Sequence, residues 1–140
     1  MKSLTTAVDA NVISALWTGE ASSAHCKVGL ENARQRGTVI ICAPVYCELH
    51  ACPGAAPEMI NRFLHDTGIV SDFLLGEKVW REAALRFARY ASRRRRSGGQ
   101  SPKRMLVDFI VGAHALVTAD CLFTLDRDRY ARDFPELRLS

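Results

Sequence analysis

Apolar runs and polar breaks divide the chain into strands and helices that nearly alternate. Leu4 to Val8 predicts a first strand and Val12 to Trp17 a short helix, with Thr18-Gly19 as the break. Glu20 to Arg36 predicts a second helix ending at Gly37, a residue type suited to the left-handed position just past a helix. Thr38-Val39-Ile40-Ile41-Cys42 is a continuous β-branched run bounded by turn signals, the pattern of a strand covered on both faces. Pro44 is favoured at a first helical position, so Pro44 to Ala51 predicts a helix with Glu48 in its second turn, ended by Pro53-Gly54. Glu58 to Asp66 suits another short helix, and Gly68 to Ser71 a third strand. Val79 or Trp80, Ala83 or Ala84, Phe87 and Tyr90 or Ala91 recur at helical spacing, making Glu77 to Ser92 an amphipathic helix. Ser101-Pro102 restarts helix as cap and first residue, and Leu106, Ile110, Ala113 and Val117 form its apolar stripe. Cys121 to Thr124 reads as a fourth strand and Leu137-Arg138-Leu139 as a short edge strand.

Strands alternating with helices predict an α/β fold, a three-layer α/β/α sandwich around a mostly parallel sheet of four to five strands with right-handed crossovers. At 140 residues and 48% hydrophobic, the chain suits one compact domain over 1–140. There is no run of about 18 apolar residues and no secretory pattern at the N-terminus, so a cytoplasmic protein without membrane contact is expected. The five cysteines, Cys26, Cys42, Cys47, Cys52 and Cys121, are odd in number and partly in core segments, which favours reduced thiols over a disulfide framework.

In an open parallel sheet, ligands bind beyond the carboxyl ends of the strands. Asp9 and Asp126 each follow a strand and fall at that edge. Glu48 and Asp108 belong to the second turns of helices that open at Pro44 and Pro102, and helical side chains lean toward their own N-terminus. Each acid has a bland reading as well: Asp9 a cap, with Asn11 an alternative cap, Glu48 a solvated helix face, Asp108 a polar break, Asp126 a turn residue. Asp108 is the exception, because Met105-Leu106-Val107 precede it and Phe109-Ile110-Val111 follow, and a buried charge requires a partner.

Two carboxylates about 4 Å apart repel by roughly 4 kcal/mol at an effective dielectric near 20, so four together need positive charge. A divalent cation supplies it, and all-oxygen ligation suits Mg²⁺ or Mn²⁺. Such a centre can activate a water and stabilise the leaving oxygen in phosphodiester hydrolysis. The net charge of +4 is unevenly placed: six basic residues and no acid fall between Ala91 and Val107. Arg93, Arg94, Arg95 and Arg96, followed by Ser97-Gly98-Gly99-Gln100, predict an exposed basic loop, which with Lys103 and Arg104 would hold a polyanion or serve only as a solvated surface.

The segments VDANVISAL, PVYCELHA, KRMLVDFIVGAHAL and LFTLDRDRY together resemble the four acidic motifs of PIN-domain ribonucleases, most closely the VapC-type toxins of bacterial toxin–antitoxin pairs. The resemblance runs from Asp9 to Asp126 and implies that Asp9, Glu48, Asp108 and Asp126 bind metal and carry catalysis. It matches Asn11 and Thr124 to supporting polar positions, and Asp128 to a position able to share the role of Asp126. It further implies a Mg²⁺- or Mn²⁺-dependent endoribonuclease acting on structured RNA (transfer or ribosomal), a homodimer, and a cognate antitoxin protein as inhibitor. The short Cys/Ala/Pro-rich segment between Cys47 and Pro57 and the unusually basic stretch from Arg93 to Lys103 depart from the family pattern.

Competing readings are a zinc site at Cys47, His50 and Cys52 with His65, which lacks the paired spacing of zinc ligands, and an aspartyl-phosphate phosphatase, which would want a second Asp at position 11. A non-catalytic module that binds RNA or protein through a degenerate acidic site is the alternative of a different class. His25, His65 and His114 show no sequence partner that suggests catalysis, and Trp17, Trp80 and Phe87 read as core aromatics.

Overall fold

The computed structural model describes residues 3–98 and 105–140. Four strands, β1 (Thr6–Val8), β2 (Val39–Cys42), β3 (Val70–Asp72) and β4 (Cys121–Phe123), form one sheet in the order β3-β2-β1-β4 with every pairing parallel. Each residue of β1, β2 and β4 is buried, as a sheet covered on both faces requires. The covering helices are α1 (Ala10–Thr18), α2 (Ser23–Arg36), α3 (Ala43–Leu49), α4 (Pro57–Thr67), α5 (Glu77–Arg96), α6 (Leu106–Thr118) and α7 (Arg127–Asp133). Helices α1 and α2 pair with each other, as do α5 and α6, and α3 touches both α1 and α6. The expected parallel α/β architecture is present, with four strands. Leu137 to Leu139 contributes a single parallel bridge, Leu139 to Leu122, outside the named strands.

Register places the functional edge. Thr6 lies opposite both Val39 and Cys121, and Val8 opposite Phe123, so β1 and β4 end together and the Asp9 N–H donates to the Phe123 carbonyl at 3.0 Å. Asp9 and Thr124 therefore leave the sheet side by side.

Three expectations are corrected and one open alternative is decided. Helix α1 is capped by Asp9 and not by Asn11: the Ala10 N–H donates to Asp9 Oδ1 at 2.8 Å, and Asn11 lies inside the helix with its side chain turned to other work. Gly37 is close to extended, with φ 159°, and is not left-handed; a Cβ there would meet the Leu4 carbonyl oxygen at 2.2 Å, so glycine admits the chain entering β1. The arginine run is not a loop, because α5 continues through Arg96; arginine is a good helix former, and four cations in a last turn complement the exposed carbonyls. Helix α6 begins at Leu106, which moves Asp108 from a second turn to the first. The expected restart at Ser101-Pro102 falls outside the described residues.

Candidate active site

Asp9 is the most enclosed acid of the group, 7% exposed. Its Oδ1 accepts from the Ala10 N–H, and its Oδ2 accepts from Thr124 Oγ1 at 2.9 Å and from Tyr130 Oη at 3.1 Å. Burial raises its proton affinity, the hydrogen bonds from Thr124, Tyr130 and Ala10 oppose this, and the charge of Asp108 adds to the rise. Thr124 serves two purposes, since its Oγ1 also accepts from the Asp126 N–H at 3.0 Å. The polar position after β4 thus fixes both the carboxylate at the end of β1 and the backbone that carries Asp126.

Glu48 enters from α3, which begins directly at the end of β2 with Pro44 in its opening turn. Although the residue is exposed, partial burial of its carboxyl together with the charges of Asp9 and Asp108 pushes its pKa up to about 7. Asp9 and Glu48 in turn act on the Cys42 thiol at the end of β2, whose burial pushes it up to about 11. Asp108, half-buried in the first turn of α6, therefore shares one field with Asp9 and Glu48.

Asp126 stands at the rim. Asn11 Nδ2 donates to its Oδ2 at 3.2 Å, Asn11 Oδ1 accepts from the Leu125 N–H at 3.2 Å, and Arg129 Nη1 lies 3.8 Å from Asp126 Oδ2. Asp128 is exposed in the first turn of α7. Asp126 is thus linked to Asp9 through Thr124 and held by Asn11, while Glu48 and Asp108 share an electrostatic field with Asp9.

All four acids offer oxygen donors, the set that hard divalent cations prefer, and the charges that act on Glu48 are both negative. These are the features of a place that a cation would stabilise. Among the described residues, no three His, Cys, Asp or Glu side chains are gathered closely enough to hold an ion as they stand. That applies equally to the zinc reading: Cys47 is exposed, and His50 Nδ1 lies 2.9 Å from the Tyr46 carbonyl oxygen. A cleft of about 360 Å³ opens beside Glu48 and is lined by Asn11, Ser14, Thr18 and Cys52 among others. A larger cavity of about 650 Å³, between α2 and the end of β4, contains none of the four acids.

The basic residues divide by role in the structure. Arg93 forms an ion pair with Asp133 of α7 and lies over the Tyr90 ring, 5.9 Å from its centroid. Arg95 and Arg96 are exposed, Arg94 is half-buried, and Lys103 and Arg104 lie outside the described residues. Sequence reasoning missed Tyr130, because α7 itself was not foreseen. It also missed Asp72, a fifth acid at the carboxyl edge, whose Oδ2 lies 3.0 Å from Nε2 of the buried His114 and whose Oδ1 accepts from the Leu74 N–H. Trp17 is partly buried against Phe63 and Phe87 against Phe109, as expected of core aromatics. Trp80 instead is 48% exposed, with its indole N–H on the Leu75 carbonyl oxygen.

A parallel α/β sheet with acids gathered at its carboxyl edge defines the class of fold. The PIN domain family model matches residues 6–135, and the chain belongs to that family. Among solved structures, VapBC-1 from nontypeable Haemophilus influenzae is similar at 18% identity and TM-score 0.63, covering 98% of this chain and 97% of that one. VapBC2 from Rickettsia felis, solved bound to a DNA fragment from its promoter, is similar at 17% identity and TM-score 0.61, covering 98% of both chains. At these identities the likeness concerns the fold. No curated protein sequence matches the chain.

Proposed function

We propose that residues 1–140 form a single PIN domain acting as a divalent-metal-dependent endoribonuclease, the VapC-type toxin of a toxin–antitoxin pair, on structured RNA such as transfer or ribosomal RNA. The observation that carries this reading is the placement of Asp9, Glu48 and Asp108, acids from three elements, near enough that the charges of Asp9 and Asp108 act on Glu48 and add to the effect of its partial burial. Family membership and the VapBC neighbours support it.

Asp9, Asp108 and Asp126 would hold one or two Mg²⁺ or Mn²⁺ ions, with Glu48 as a further ligand or as the base. A bound ion would supply Lewis-acid polarisation of the phosphate and charge stabilisation at the leaving oxygen. In the base role, the Glu48 carboxylate would take the proton from the water that attacks phosphorus in line. Asn11 and Thr124 orient Asp126 and Asp9, and Asp128 would share the role of Asp126. Of the basic residues expected to contact RNA phosphates, Arg94, Arg95 and Arg96 with Lys103 and Arg104 would do so, whereas Arg93 is held by Asp133. The partners in this reading are the RNA substrate, a cognate antitoxin protein and a second copy of the chain in a homodimer. The expected location is the cytoplasm; among the described residues no helix is long and apolar enough to cross a membrane.

Incubation with total bacterial RNA, with and without Mg²⁺ or Mn²⁺, followed by mapping of the cut ends, tests the proposal. Discrete metal-dependent cuts are expected. RNA that is bound but never cut would instead indicate the non-catalytic module.

A further inference from the structure

Tyr130 is 1% exposed, and its ring lies in the core beside Phe134, with centroids 6.4 Å apart. A phenol hydroxyl carried to such depth requires a polar partner, and here that partner is Asp9 Oδ2. An ionised carboxylate offers about four in-plane lone-pair positions. Thr124 and Tyr130 occupy the two on Oδ2 and the Ala10 N–H occupies one on Oδ1, so a single position is left, on Oδ1.

Helix α7 is held firmly enough to make this contact directional. The Phe134 N–H donates to the Tyr130 carbonyl at 2.7 Å, Arg86 Nη1 donates to the Asp133 carbonyl at 3.0 Å, and Arg93 pairs with the Asp133 carboxylate. Arg86 also grips Glu136 through both terminal nitrogens, which fastens the segment after α7 to α5. The tyrosine hydroxyl is thus presented by a braced element.

We propose that Tyr130 is a positioning residue for Asp9: its hydroxyl, with that of Thr124, locks Oδ2 so that Oδ1 alone faces a divalent cation. This rests on the metal-dependent reading above. Hydrogen-bonded supports of ligating carboxylates typically change metal affinity about 10–100-fold when removed. Tyr130→Phe keeps the ring and removes only the hydroxyl.

The test is Mn²⁺ binding to the full chain, followed by electron paramagnetic resonance, in the wild type, Asp9→Asn, Tyr130→Phe and Phe134→Leu, with thermal melting recorded for each. Phe134→Leu loosens the packing of α7 and leaves the hydroxyl in place. The expected result is Mn²⁺ binding by the wild type, its loss in Asp9→Asn, and about tenfold weaker binding in Tyr130→Phe. Phe134→Leu should melt earlier yet bind Mn²⁺ as the wild type does. Unchanged affinity in Tyr130→Phe, or an equal loss in Phe134→Leu, overturns the assignment and leaves the metal reading standing. Failure of the wild type to bind Mn²⁺ overturns the metal reading and the assignment with it.

Discussion

Asn11 clamps the turn that carries Asp126: its Nδ2 donates to the Asp126 carboxylate while its Oδ1 accepts from the Leu125 N–H, across more than a hundred residues of chain. One amide thereby sets the position of an acid that belongs to neither its own helix nor its own strand.

Asn11→Ala should therefore lower RNA cleavage by about tenfold, the lower end for loss of a support to a ligating group. Its cost in stability should be only about 1 kcal/mol, the usual net worth of a hydrogen bond. Cleavage assays beside urea unfolding check both. A large loss of stability with unchanged cleavage would show that the clamp serves only the fold.

The arginines at the end of α5 should separate into two phenotypes. Arg93→Ala breaks a pair whose Asp133 side chain is 2% exposed, and should cost about 2 kcal/mol, as charged hydrogen bonds do. Replacing the exposed Arg95 and Arg96 by alanine should leave the melting temperature nearly unchanged. That double variant should instead weaken RNA binding and reduce the slope of log affinity against log salt by roughly 1 for each phosphate no longer neutralised. Melting curves and binding at several salt concentrations distinguish the two.

Glu48 gives the metal-free protein a pH dependence of definite sign. Its pKa is raised from 4.5 to about 7, so the folded state holds this proton more tightly than the unfolded chain. Stability associated with the protonated carboxyl is present below pH 4.5 and is lost as pH rises through about 7. Asp9, also raised, acts in the same direction. In melts between pH 5 and pH 8, Glu48→Gln should flatten part of the decline seen in the wild type, and Mn²⁺ should raise the wild-type melting temperature most at the alkaline end. Identical pH profiles for the two proteins would contradict this electrostatic account.

The strands and the position of Asp9 were legible because β-branched runs and a strand-to-helix junction are strong local signals. Thr38 to Cys42 and Cys121 to Thr124 lie within a residue of the observed strands. Helix α7 was not legible: Arg-Asp-Arg-Tyr-Ala-Arg-Asp is too short and too charged to display an apolar period, and its burial is concentrated at Tyr130 and Asp133. With the helix went Tyr130, whose role depends on a contact 121 residues away. The arginine run suggested a loop from its charge and the Gly/Ser segment that follows, although its helix propensity and the C-terminal dipole argue for helix. Asp72 and His114 were missed for a similar reason, since each is ordinary in its own segment and only the fold brings them together.

The central claim is that the acids around Asp9 cut RNA with a divalent cation. Its most direct test is the single-turnover cleavage rate of the mapped RNA at saturating Mn²⁺, wild type against a folded Asp9→Asn. The account predicts a loss of at least about a hundredfold, as expected when a ligating charge is removed from a centre that stabilises developing charge. A folded Asp9→Asn that cleaves at the wild-type rate would contradict it.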